Sequence, residues 1–353
     1  MEKVLIAMSG GVDSSAAACL LKEKGYDIIG VTMKLYDNND IHESEEKSCC
    51  SLSDVEDARN AACLLGFPYY VFNFKGDFKK QVIDRFIDAY ENGETPNPCI
   101  DCNRYLKFEE LYRRAFALGC DFIATGHYAQ IEEKNGRYLL KKAADSRKDQ
   151  SYVLYTLTQE QLAHTIFPLG RLEKTETRKI AETHGLLNAD KHESQDICFV
   201  PDGDYASFIR KTTGKIYPEG DFIDTEGNIL GRHKGLIHYT IGQRRGLGLS
   251  LPAPLYVMKK DLAANRVVLC TNEELFQKEM NVKEINWIGA DEFKEAFRAE
   301  VKIRYSHKAA YATVIPDKDC AHIIFDEPQR AITAGQAAVF YQDAYVIGGG
   351  KIV

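Results

Sequence analysis

Apolar positions in the first third of the chain fall into short blocks that alternate between two periods. "VLIAM" (residues 4–8) is a solid apolar run and predicts a buried strand. "SSAAACLLKEKG" (14–25) predicts a helix closed by Gly25, and "YDIIGVTM" (26–33) a second strand. "SDVEDARNAACLLG" (53–66) predicts a helix with Ser53 and Glu56 spaced as a capping box and Gly66 as its stop. "PYYVFNF" and "DFIATGHYA" predict further strands, with amphipathic helices at "DFKKQVIDRFIDAYENG" and "KFEELYRRAFALG". Strand–helix alternation at this spacing implies a mostly parallel, doubly wound α/β sheet with helices on both faces.

Asn135-Gly136 predicts a hairpin turn, after which the pattern changes. "DQSYVLYTLTQEQL" (149–162), "KTETRKIAETHGL" (174–186) and "GDYASFIRKTTG" (203–214) predict helices. From about Gly214 the helical period fades. Short β-rich runs follow: "PLYVMKK", "RVVLC", "FRAEVKIRY", "YATVIP", "AHIIFD" and "AAVFYQDAYVIGGGKIV". The organisation expected is an α/β domain over residues 1–200, a small α+β central domain over 201–275 and a C-terminal β-barrel over 276–353.

Composition adds little to this picture. A chain of 353 residues with 44% hydrophobic content is an ordinary soluble protein of two or three domains. "VLIAM" is too short for a signal peptide, and no apolar stretch is long enough to span a bilayer, so a cytoplasmic protein with no membrane partner is expected. Ten scattered cysteines do not make a disulfide scaffold. The net charge of −7 argues weakly against nucleic acid, yet residues 227–260 hold no acid and carry Arg232, Lys234, Arg244, Arg245, Lys259 and Lys260. That stretch is either a solvated face or a phosphate-binding one.

"MSGGVDSS" (8–15) stands where the first strand meets the first helix. Glycines let backbone approach an anion, and helix-start amides point at it. Ser9, Ser14 and Ser15 add hydroxyls, and Asp13, beside phosphates, suits Mg²⁺. The Gly-Lys-Ser/Thr of a P-loop is missing, and the run is not a dinucleotide fingerprint. A tight, well-capped turn is the bland alternative.

"SGGVDSS" resembles the pyrophosphate loop of the ATP pyrophosphatases, an adenine nucleotide alpha hydrolase-like fold. The rest of the chain is similar to the bacterial-type tRNA-specific 2-thiouridylases over nearly its full length. The blocks that carry this include "CCSLSDVEDAR", "TPNPCIDCNRYLKF", "ATGHYA", "KDQSYVLYTL", "FPLGRLEKTETRKIA", "SQDICFVPDGDY", "YTIGQRRGLGL" and "KIRYSHKAAYATV". The resemblance implies ATP-dependent adenylation of the wobble uridine of tRNA at its 2-oxygen. Sulfur then arrives from a cysteine persulfide, giving 2-thiouridine, AMP and pyrophosphate. ATP, Mg²⁺, tRNA and a persulfide-donating protein are the implied cofactors and partners, and the chain is expected to act as a monomer.

By the same resemblance Cys102, in "TPNPCIDCN", is the nucleophile, and Cys198, in "SQDICFV", carries the persulfide. The two can also form a disulfide, either as part of turnover or as an off-pathway state. The prolines and asparagine around Cys102 predict a fixed turn, not a helix interior, and a thiolate there is expected to sit near positive charge or a helix start. The ATP set implied is Ala7, Met8, Ser9, Gly10, Gly11, Val12, Asp13, Ser14, Met33 and Gly126; for Met33 plain core packing is the alternative. Asn97, Pro98 and Cys99 match the target-base segment. His127, Lys148, Asp149, Gln150, Arg304, Tyr305 and Gln342 match tRNA contacts, with a structural histidine as the alternative at His127. Many family members carry aspartate where this chain has Cys99. The Cys-x-x-Cys so formed opens two further readings: an iron–sulfur cluster on Cys99, Cys102 and Cys198, or a redox dithiol. Cys49 and Cys50 receive no role.

Two other functions compete with thiolation. An ATP pyrophosphatase that adenylates a small molecule leaves both cysteines and the basic stretch idle. An RNA-binding scaffold with a decayed loop conflicts with the intact loop.

Overall fold

The computed structural model describes residues 1–37, 52–186, 188, 197–250 and 252–353; Cys49 and Cys50 lie outside them. The early strands are β1 (Lys3–Ala7), β2 (Asp27–Lys34), β3 (Tyr69–Asn73), β4 (Phe122–Ala124), the hairpin β5 (Gln130–Lys134) and β6 (Arg137–Lys141), and β7 (Thr165–Ile166). Five of them form an all-parallel sheet in the order β3-β2-β1-β4-β7. The central strand explains why the first apolar run is unbroken. Val4 and Ile6 pack on one face with α1 (Val12–Glu23) and α2 (Leu52–Leu65), whereas Leu5 packs on the other with Phe74, Phe78 and Leu106. Both faces are covered, so period-2 alternation disappears. The sheet's connections run opposite ways from β1, which opens a crevice between β1 and β4 at their C-terminal ends.

Two helices flank that crevice. The first, α3 (residues 75–91), includes a π-helical stretch, Lys79–Ile83. The second, α4 (98–117), includes a longer one, Cys102–Leu111. Two shorter helices follow, α5 (Gln159–Ala163) and α6 (Lys174–Thr183), then α7 (Tyr205–Thr213).

The central region forms a four-stranded sheet from β8 (Gly220–Ile223), β9 (Ile229–His233), β10 (Tyr256–Asp261) and β11 (Arg266–Cys270), in the order β10-β11-β8-β9. The C-terminal strands are β12 (Phe276–Trp287), β13 (Phe297–Lys302), β14 (Ala310–Asp317), β15 (Cys320–Arg330), β16 (Ala337–Gln342) and β17 (Tyr345–Ile352). They close into a six-stranded barrel through β12–β17 pairing. Asn135 and Gly136 both have positive φ, as the hairpin turn predicted. The hairpin does not stay with the parallel sheet: β6 pairs with β17 and extends the barrel sheet. Among the described residues no helix is long and apolar enough to cross a membrane.

Three local expectations are corrected. Residues 149–162 are not one helix but a 3₁₀ turn, Ser151–Leu154, followed by α5. Residues 151–154 are buried throughout, and Asn286 of the barrel takes the carbonyls of Tyr155 and Leu157, so tertiary contacts override helical preference. Ser53 lies inside the first turn of α2, not at its cap. The segment around Cys102 is helical: Pro98 occupies the first helical position and Asn97 caps Cys99 N–H at 3.1 Å, so the proline starts a helix rather than fixing a turn. A strand at β12 escapes the sequence pattern because only Met280 and Val282 along its first half point inward.

Lys260 on β10 is an interface lysine. Its Nζ is buried without a hydrogen-bond partner, 5.6 Å from the centre of the Tyr90 ring on α3. Burial pulls its pKa down to about 8 from an ordinary 10.5. Between those values the unfolded chain binds the proton and the folded one does not, so stability rises with pH across that window and is lowest below it. Lys260→Met is expected to raise the melting temperature at neutral pH, by up to about 3 kcal/mol of stability, and to flatten the rise above pH 8. A variant that melts at or below the parent temperature at neutral pH contradicts this.

Candidate active site

The loop after β1 is held from several sides. Met8 N–H donates to Val31 O at 2.8 Å, and Thr32 Oγ1 donates to Met8 O at 2.6 Å. Gly10 has φ +74°, and a Cβ there would lie 2.3 Å from Asp54 O, so only glycine fits between the loop and α2. Gly11 begins α1 with no side-chain cap, which leaves the first amides of the helix available to an anion. Gly126, after β4, presses on the same helix start: a Cβ there would meet Ser14 N at 2.8 Å. Asn188 ties the loop from outside, donating to Gly10 O at 2.9 Å and Ser15 Oγ at 3.0 Å.

Asp13 is fixed rather than loose. Its Oδ1 accepts from Tyr128 OH at 2.8 Å and from Lys174 Nζ at 2.7 Å, and Lys174 is only 8% exposed. Removing Asp13 therefore disturbs a packed ion pair, contrary to the simple picture of a carboxylate that contacts only a metal.

The crevice opens into one cavity of about 360 Å³. Ala7, Met8, Ser9, Asp13, Ser14, Met33 and Gly126 line it on the loop side; Pro98, Cys99, Cys102, His127 and Cys198 line it opposite. Cys102 carries a free thiol. Burial is the strongest influence on it and pushes its pKa up, against the pull of Lys107 and with a smaller push from Asp101. The expected positive charge is present as Lys107, and desolvation outweighs it. Cys198 is placed through its backbone and its neighbour. Tyr36 OH donates to Cys198 O at 2.8 Å, and Phe199 packs edge-on against Phe78 and Phe86, at 5.7 and 5.3 Å.

His127 is buried among Phe108 and Phe167. Its Nδ1 lies 2.6 Å from Thr125 Oγ1 and its Nε2 3.5 Å from Lys107 Nζ. Burial, then the Lys107 charge, hold its pKa well below the ordinary value, so the ring is neutral at physiological pH.

The rim is braced by the barrel. Thr95 N–H donates to Ala334 O at 2.9 Å, Gln336 Nε2 donates to Thr95 O at 2.7 Å, and Lys351 pairs with Glu94 at 2.6 Å. These contacts fix the segment that leads into Asn97 and α4.

Family models match in three consecutive pieces: a tRNA methyl transferase HUP domain over residues 2–202, a tRNA methyl transferase PRC-barrel domain over 206–271 and an aminomethyltransferase β-barrel domain over 277–352. Full-length relatives are closer still. The tRNA-specific 2-thiouridylase MnmA of Clostridioides difficile (strain 630) is 53% identical over 354 residues, covering 99% of this chain and 98% of that one. Those of Clostridium kluyveri and Lachnoclostridium phytofermentans are 51% and 50% identical, covering 99% and 100% of each chain. The chain belongs to the tRNA-specific 2-thiouridylase family.

The other residues expected of a 2-thiouridylase lie outside the cavity lining. Gln150 Oε1 accepts from Tyr128 N–H at 2.9 Å, and Asp149 accepts from Ala143 N–H at 2.9 Å and Ser151 Oγ at 2.8 Å, so both brace the fold beneath the cavity; Lys148 is half-buried. Arg304 joins domains: its NH2 group reaches Ile241 O at 3.2 Å, Ala331 O at 3.3 Å and Thr333 Oγ1. Tyr305 is 42% exposed, with Lys302 Nζ 5.4 Å from its ring centre, a platform on which a base can stack. Gln342, exposed at the end of β16, donates to Arg298 O at 3.3 Å. Gly10, Gly11 and Val12 are not part of the cavity lining, and Asn97 faces a separate polar cleft against the barrel. In the basic stretch Arg232 pairs with Asp221, while Arg244 and Arg245 are exposed with no ion pair among the described residues. Sequence reasoning missed Lys107, Lys174, Tyr128 and Asn188. Three of these stand inside quoted blocks, Lys107 in "TPNPCIDCNRYLKF", Tyr128 in "ATGHYA" and Lys174 in "FPLGRLEKTETRKIA"; nothing local marks their partners.

Proposed function

We propose that this cavity brings together ATP, one uracil of tRNA and a protein-bound sulfur, and that the chain is an ATP-dependent tRNA 2-thiouridylase working through Cys198 and Cys102. The observation that carries the reading is the lining of a single cavity by both the anion loop and both cysteines. The domain labels speak of methyl transfer, but the full-length relatives are thiouridylases, and a phosphate loop facing two thiols suits sulfur transfer driven by ATP.

The chemistry follows from the leaving group. Oxygen at position 2 of uracil leaves poorly. Attack of that oxygen on the α-phosphorus of ATP breaks the bond to pyrophosphate and converts the oxygen into part of AMP, which leaves well. The first amides of α1, with Ser9 and Ser14, hold the phosphates. Mg²⁺ fits beside Asp13, because this ion needs one or two carboxylates and completes its shell with phosphate oxygens and water. Bound there, it neutralises phosphate charge.

A donor protein loads Cys198 with one sulfur as a persulfide. Its terminal sulfur attacks C2, AMP departs, and a tRNA–Cys198 disulfide results. The Cys102 thiolate then attacks the Cys198 sulfur. The electron pair of the broken bond passes to the sulfur on C2, giving 2-thiouridine and a Cys102–Cys198 disulfide, which a cellular dithiol reduces. Cys102 must ionise first, and its raised pKa means that this step speeds up as pH rises through and above neutrality. No step runs through an iron–sulfur cluster. Among the described residues, which include Cys99, Cys102 and Cys198, no three or more His, Cys, Asp or Glu side chains converge as metal ligands.

Release of AMP and pyrophosphate, measured with and without tRNA, tests this reading against adenylation of a small molecule. Release that needs tRNA supports it, and equal release without tRNA contradicts it. The basic stretch gives a second expectation. Arg244→Glu with Arg245→Glu is expected to weaken tRNA binding and to flatten the log–log salt dependence by about one unit per lost phosphate contact. An unchanged slope puts the tRNA elsewhere.

A further inference from the structure

Lys107 takes no part in the steps of sulfur transfer described above for Cys198 and Cys102, and its surroundings are unusual. The backbone from Cys102 to Leu111 is π-helical, a rare form over ten residues and one that recurs at functional sites. Its i→i+5 repeat brings residues five apart onto one face, whereas α-helical winding would set them about 140° apart. Cys102 and Lys107 are five apart, and both line the cavity. Lys107 is half-buried and makes no ion pair among the described residues. Its Nζ lies 3.5 Å from Nε2 of the neutral His127 ring, which brings no charge. A half-buried ammonium with no carboxylate paired to it among the described residues is a cation in want of an anion.

We propose that Lys107 is a positioning residue for sulfur transfer: its charge, phased onto the Cys102 face by the π-helix, stabilises anionic sulfur at Cys102 and draws anions to that thiol. The other groups near Cys102 do not supply this. Asp101, next in the chain, opposes it, and His127 carries no charge. The inference rests on the reading of Cys102 as the thiol that releases sulfur to tRNA. The charge effect itself is measurable on the protein alone, so its failure leaves the thiolation reading standing.

The test compares two alkylating reagents of similar size at Cys102, anionic iodoacetate and neutral iodoacetamide, with modification of Cys102 followed by peptide mass spectrometry. Lys107→Gln is expected to lower the iodoacetate-to-iodoacetamide rate ratio by about tenfold, and Lys107→Arg to keep it within about twofold. Lys107→Met, which keeps the aliphatic stem, is expected to match Lys107→Gln and serves in its place if the glutamine variant melts differently from the parent. A purely structural role would move both reagents alike. A parental ratio in folded Lys107→Gln or Lys107→Met, or an equal fall in Lys107→Arg, overturns the proposal.

Discussion

Cys198→Ser is expected to keep consuming ATP in the presence of tRNA while losing sulfur transfer by at least about 10³-fold. A serine hydroxyl neither forms a persulfide nor ionises near neutral pH. The variant should therefore reach the adenylated tRNA and stop, with no labelled sulfur retained on the protein. Cys102→Ser stops one step later. Cys198 still accepts the persulfide, its terminal sulfur still reaches C2, and the product is trapped as a tRNA–protein disulfide. That adduct should accumulate and should release 2-thiouridine when an external thiol is added, because a small thiol can do what Cys102 no longer does. Labelled sulfur followed separately on protein and tRNA distinguishes the two variants. Label retained by Cys198→Ser, or multiple turnovers by Cys102→Ser at the parental rate, contradicts the assigned order. Both substitutions are nearly isosteric at half-buried positions, so neither should alter the fold.

Asp13→Asn is expected to lower tRNA-dependent AMP formation by at least about 100-fold while the chain remains folded. Asparagine keeps an oxygen that can accept from Tyr128 OH and Lys174 Nζ, but it removes the charge that an ion on the phosphates needs. Asp13→Ala is the poorer probe. It strands the buried Lys174 ammonium, and breaking a buried pair costs about 3–5 kcal/mol, with the lower end apt here because Asp13 is partly exposed. Lost activity in the alanine variant would therefore mix chemistry with unfolding. Melting curves and AMP formation measured on Asp13→Asn separate the two. Parental AMP formation at ordinary Mg²⁺ would remove Asp13 from the phosphate site.

The parts of the site legible in the sequence are those whose chemistry is local. Gly10, Gly11 and Ser14 announce an anion loop because backbone conformation and hydroxyl placement within a few residues decide it. What stayed hidden depends on chain phase or on distance. A proline-flanked cysteine reads equally as a turn or as a helix start, and only the Asn97 cap decides between them. Lys107 reads as ordinary helix surface because the α-helical period turns it away from Cys102; the π-helix turns it back. Lys174 meets Asp13 across 161 residues, and the β5–β6 hairpin leaves its own domain to join the barrel at Tyr345 and Val346. Residues 149–162 carry helical spacing, yet burial between domains and the Asn286 amide set their backbone.

The central claim is tested most directly by nucleoside mass spectrometry. Unmodified tRNA is incubated with the protein, ATP, Mg²⁺, a persulfide source and a dithiol, then digested. The account predicts 2-thiouridine that appears only when ATP and the persulfide are both present, with one AMP formed per sulfur transferred. Uridine left unthiolated while AMP accumulates without tRNA, or a methylated nucleoside in its place, would contradict it.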